Sequence, residues 1–169
     1  MSLGPAKAGS ETNALKRFFP DGERVTWIGT VKARGMGPSS PEMKAKGKAT
    51  MKWIMNGLWA MFDAEQDQFI GDKKVLTWKA HIVVGWDFWG KEYRAIAADS
   101  NGSTALFKCE IEGDKFIMTA DVTIRGQPAK LRFIQDHTDP NAVKWFNETS
   151  INNGPWQLIE EYIVKRSTS

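Results

Sequence analysis

Gly113-Asp114-Lys115-Phe116-Ile117-Met118-Thr119-Ala120-Asp121-Val122-Thr123-Ile124-Arg125-Gly126-Gln127 is the stretch that decides the fold. Phe116, Met118, Ala120, Val122 and Ile124 fall on one face of an extended chain, and Lys115, Thr119, Asp121, Thr123 and Arg125 mostly on the other. Alternation with period two belongs to a strand with one side buried and one in water. Gly113-Asp114 and Gly126-Gln127 bracket it, because glycine reaches the positive φ that tight hairpins demand. The same punctuation recurs at Asn56-Gly57, Gly71-Asp72, Asn101-Gly102 and Asn153-Gly154-Pro155.

Between these turns the chain reads as strands over about 24–34, 45–55, 58–69, 73–86, 92–98, 104–111, 115–124, 129–136, 143–151 and 156–165. Connections after the first are short, so neighbours pair antiparallel, and the meander must close or leave long edges exposed. The expected fold is therefore all-β, a single closed antiparallel up-and-down barrel of roughly ten strands. Ser10 to Pro20 opens on a capping residue and stops at proline, which predicts a short N-terminal helix whose Phe18 and Phe19 close one end. Residues 1–9 read as a flexible terminus, residues 10–166 as the barrel domain, and the turn-rich Gly35-Met36-Gly37-Pro38-Ser39-Ser40-Pro41 as a loop over a mouth.

At 169 residues the chain suits one domain with a substantial core. Cys109 is the only cysteine, which excludes an internal disulfide. With no N-terminal apolar segment or long apolar span, a cytoplasmic location and no membrane partner are expected. The sequons at Asn101 and Asn147 then read as accidental. A net charge of +3 raises the question of nucleic acid. Lys44, Lys46 and Lys48 would share one strand face, but no nucleic-acid recognition signature accompanies them. They read as a solvated face that discourages edge pairing, with no nucleic-acid partner.

Eight tryptophans, Trp27, Trp53, Trp59, Trp78, Trp86, Trp89, Trp145 and Trp156, spread over nearly every strand. In a barrel of this size such side chains either fill the interior or line a cavity. His81, His137 and Cys109 lie far apart without ligand spacing, so neither a metal nor another cofactor is expected; a haem on one histidine is the weakest alternative. His81 is expected to face solvent and His137 to lie in a loop. No nucleophile elbow and no phosphate-cradling glycine loop is present. Asp87 and Asp99 each follow an apolar strand and precede a turn, where their carboxylates are expected to accept backbone N–H bonds.

Gly85-Trp86-Asp87, the following Glu92-Tyr93-Arg94 and Asp99-Ser100-Asn101-Gly102 together resemble a bacterial domain family of unknown function. Trp27 matches that family's early tryptophan, and the resemblance extends to Glu161-Tyr162. It implies a lipocalin-like (calycin-type) barrel and no established activity.

The functional expectation is binding of a small, mostly apolar molecule in the interior, with Trp53, Trp59, Trp78, Met51, Met55, Asp63, Arg94 and Glu160 as its candidate contacts. The alternative is a cofactor-free isomerase, cyclase or hydrolase using a buried carboxylate such as Asp63 or Glu160, with Arg94 steadying an anion. Neither the ligand nor the oligomeric state is legible.

Overall fold

Every strand pairs antiparallel with its neighbours in sequence, and pairing of the first strand with the last closes the sheet into one barrel. The computed structural model describes residues 6–32 and 39–168. One short helix, α1 (Ser10–Leu15), precedes ten strands: β1 (Glu23–Lys32), β2 (Glu42–Ile54), β3 (Trp59–Ile70), β4 (Lys73–Asp87), β5 (Glu92–Asp99), β6 (Thr104–Glu112), β7 (Lys115–Ile124), β8 (Gln127–Asp136), β9 (Val143–Ile151) and β10 (Gln157–Thr168). Most of the loop expected over Gly35 to Pro41 lies outside the described residues, as does the end of the first expected strand.

Alternation sorts the wall as the deciding stretch predicts. Phe116, Met118 and Ala120 of β7 are buried while Lys115 and Asp121 are exposed. The hairpin turns bring β7 back onto β8, with Gly126 at φ 77°, in the left-handed region where a side chain would be strained. Closure removes the edges that a flat ten-stranded meander would leave unpaired.

One end of the barrel is sealed by α1 and the turn that follows it. Leu15, Phe18 and Phe19 are buried there, with the Phe18 and Phe19 rings 5.6 and 5.2 Å from Phe116. Three side chains from the wall donate to backbone carbonyls of this plug. Trp53 Nε1 reaches Phe19 O at 2.7 Å, Tyr93 OH reaches Glu11 O at 2.9 Å, and Arg166 Nη2 reaches Phe18 O at 3.2 Å. Arg17 adds an ion pair to Asp114 at 2.9 Å.

On the outer wall, the lysines of β2 face the carboxylates of β3. Lys46 is opposite Asp67 and Lys48 opposite Glu65, with Lys48 Nζ 3.6 Å and Lys79 Nζ 3.4 Å from Glu65. The basic stripe is thus flanked by an acidic one, which weakens the field it would offer a phosphate chain.

Candidate functional site

The interior beyond the plug is not filled. Inward positions of β1, β3, β4, β7, β8, β9 and β10 line a cavity of about 90 Å³. Its centre is an aromatic cluster in which Trp27 stands 5.3 Å from Trp145, 6.3 Å from Phe62 and 6.3 Å from Tyr162, ring centre to ring centre. Two glycines make this possible. Gly47 lies opposite Trp27 on β2, and a Cβ there would come within 1.9 Å of the indole. Gly29 lies opposite Tyr162 on β10, where a Cβ would meet the Glu161 carbonyl oxygen at 1.9 Å and the Tyr162 ring at 2.7 Å. Large rings pack across the barrel only because their neighbours present bare backbone.

Polar groups enter this apolar lining at few points. Gln66 is buried and its Oε1 accepts Trp27 Nε1 at 2.6 Å, fixing the indole plane. Asn147 Nδ2 donates to Glu160 across the β9–β10 pair. Glu160 reaches the interior past an irregularity between Leu158 and Glu160, which leaves Ile159 unpaired and buried and Leu158 exposed. Trp145 Nε1 is buried with no hydrogen-bond partner among the described residues. Trp78 Nε1 donates to Asp99 Oδ2 at 3.1 Å, while Asp99 Oδ1 accepts the backbone N–H groups of Asn101 and Ser103 at 2.9 and 3.0 Å. One carboxylate therefore shapes the β5–β6 turn and anchors a cavity wall. Asp87 makes the corresponding turn bonds to Trp89 and Gly90 at 3.0 and 3.1 Å.

Of the eight residues expected to contact a ligand, the structure brings Trp78 and Glu160 to the cavity. Met51 is buried, and Trp53 bonds the plug from its inward position on β2. Met55 is 65% exposed in the β2–β3 turn. Trp59, Asp63 and Arg94 belong to outer faces: Trp59 covers Gly85, Asp63 contacts His81 Nδ1, and Arg94 pairs with Glu92. No carboxylate–arginine pair converges inside from this set.

Beyond the eight candidate contacts, the cavity lining includes Trp27, Phe62, Gln66, Phe133, Trp145, Asn147 and Tyr162, which sequence reasoning did not place among the ligand contacts. A signal existed for two of them. Val25-Trp27-Gly29-Val31 and Val143-Trp145-Asn147 each place a tryptophan on the apolar side of an alternating strand.

The titratable groups whose behaviour is most altered lie away from the cavity centre. Burial pushes the Cys109 thiol up to about 12. His137 is lowered to about 4, first by burial and then by Arg166 and Arg17, whose charges oppose a second cation. Its ring packs edge-on against Phe18 at 4.9 Å at the plugged end, so it is not the solvated loop histidine the sequence suggests. His81 is outward, as expected. Neither imidazole lines the cavity. Among the described residues no cluster of three or more His, Cys, Asp or Glu could hold a metal ion, and no helix is long and apolar enough to cross a membrane.

No family model matches this chain, and no curated protein matches it. The fold is similar to that of the crystal structure of Rv2717c from M. tuberculosis, with a TM-score of 0.61 over 95% of this chain and 99% of that chain at 8% sequence identity. A likeness at that identity concerns architecture alone. What the fold and the site define is a closed ten-stranded antiparallel barrel whose interior could take a ligand.

Proposed function

We propose that this protein is a lipocalin-like carrier or receptor for a small, mostly apolar molecule held in the barrel interior, within a reducing cytoplasm. The aromatic cavity around Trp27, Phe62, Trp78 and Trp145 carries this reading. Aromatic walls supply most of the binding energy for such ligands, and a few placed polar groups set their orientation. The buried indole N–H of Trp145 supports a ligand with a hydrogen-bond acceptor, since a buried donor left unmet costs about 1–3 kcal/mol. The eight contacts expected from sequence reduce in this reading to Trp78 and Glu160, joined by the aromatic cluster. Native mass spectrometry and tryptophan quenching with fatty acids, aromatics and terpenoids test it. Saturable binding at one molecule per chain is expected; no binding by any class contradicts it.

Glu160, a carboxylate among aromatics, favours a second reading: a cofactor-free isomerase, cyclase or hydrolase with Glu160 moving the proton and Asn147 orienting it. In that case Glu160→Gln abolishes turnover of a bound molecule yet leaves its binding intact. Loss of both together contradicts the catalytic role.

A further inference from the structure

The barrel wall is not equally stitched all round. β2 and β3 share eleven paired positions, whereas β6 and β7 pair only from Lys108↔Thr119 to Glu112↔Lys115. Thr104–Phe107 of β6 and Ala120–Ile124 of β7 keep their partners on the other side, β5 and β8, but have none on each other. The two strands therefore diverge from the Lys108–Thr119 pair onward, and each leaves alternate main-chain donors and acceptors unpaired along the split.

Open space adjoins this split, with Ala105 and Phe107 on one lip and Val122 and Ile124 on the other, and it extends over residues of β4, β5 and β8. Trp78, Ile82 and Phe133 border both this space and the central cavity, so the two adjoin across these side chains. Trp78 stands at that border as the gate: it packs half-buried against the core and is tied by a hydrogen bond to the Asp99 that also shapes the β5–β6 turn beside the split.

We infer that the ligand passes through the side of the barrel, between β6 and β7, past Trp78, and that this slit selects uncharged apolar molecules. The inference rests on the binding role proposed above. Its apolar lips suit such a molecule, and the charged side chains lining the slit are both carboxylates, Asp99 and Asp121. An anion on this route meets two like charges, Asp121 exposed at the rim and Asp99 half-buried within. The opposite end of the barrel is closed by the plug, where Leu15, Phe18 and Phe19 are buried and Trp53 Nε1 holds the Phe19 carbonyl.

The test compares association kinetics of N-phenyl-1-naphthylamine, a neutral fluorescent probe, with 8-anilinonaphthalene-1-sulfonate, which carries a sulfonate on a similar frame. In Leu106→Cys/Asp121→Cys, a short reducible linker bridges the lips; Thr26→Cys/Lys165→Cys, an exposed pair on β1 and β10, controls for stapling the wall elsewhere. Bridging the slit should slow both binding and release of the neutral probe by about tenfold or more, with affinity changed by less than about threefold and full recovery on reduction. The control staple should change neither rate. Ala105→Trp, which fills the slit from β6 without any linker, should slow both rates in the same manner. The sulfonate should enter the parent about fivefold more slowly than the neutral probe, with the difference shrinking as salt rises. Unchanged rates in both slit variants overturn the side route while leaving interior binding intact. Equal association of the two probes overturns the charge selection. Failure of the parent to bind either probe overturns the proposed function and this inference with it.

Discussion

Gly47 matters for the side chain it lacks. Trp27 covers it so closely that Gly47→Ala must displace an indole already boxed by Phe62, Trp145 and Tyr162. Overpacking of this kind costs about 1–3 kcal/mol, which chemical denaturation will show, and the shifted indole should also alter the intrinsic fluorescence. His137 gives a pH signature. Its pKa in the folded state lies below its unfolded value of about 6.5, so folding excludes the proton. The stability it contributes is complete above about pH 6.5 and is lost as pH falls toward about 4. Glu23, raised by burial, has the opposite sign: its share grows as the medium acidifies. The parent should therefore lose more thermal stability than His137→Gln between about pH 7 and pH 5. Equal losses in the two proteins contradict the assignment. Cys109, with its thiol pushed up to about 12, should resist maleimide in the folded protein and react on unfolding.

At the scale of elements, the two carboxylate-built turns differ in what depends on them. Asp87→Ala removes two local backbone bonds and should lower stability by about 1 kcal/mol. Asp99→Ala removes two such bonds and the tether of Trp78 as well, so it should cost about 1–2 kcal/mol and also change ligand affinity. An affinity change from Asp87→Ala equal to that from Asp99→Ala contradicts the special role of the tether. The strands themselves were legible, since their turns need glycine or asparagine and their faces alternate. Which face pointed inward was legible for β7, where every inward residue is apolar. It was not for β3: Trp59 and Met61 share a face with Asp63 and Glu65, while Phe62 and Ala64 share one with Gln66 and Gln68. Both faces mix apolar and polar groups, and only Gln66's bond to Trp27 explains why amides rather than carboxylates went inside. The irregularity before Glu160 leaves no trace in composition either, because it follows from pairing with β9.

For the molecule as a whole, closure was predictable because the connections are short and the edges had to be hidden. An interior able to hold a ligand was expected too, but its position and lining were not legible, because they depend on how strands are staggered around the barrel and on two glycines that give ring space rather than turn. The plug adds a distant dependence: Arg166 near the C-terminus holds the carbonyls of Arg17 and Phe18, so the chain's two ends stabilise one another. Arg166→Ala should loosen that end first, seen as faster hydrogen exchange over residues 10–20 with the far strands unaffected. The central claim is that the space inside the aromatic cluster is where a ligand binds. Ala64 is buried in the cavity wall, and Ala64→Phe fills the cavity without adding a polar group or touching the slit. Titration of parent and variant with N-phenyl-1-naphthylamine, with thermal melts alongside, tests the claim. The parent should bind one molecule per chain and the folded variant should bind about thirtyfold more weakly or worse; equal affinity in a folded Ala64→Phe would place the ligand elsewhere and contradict the account.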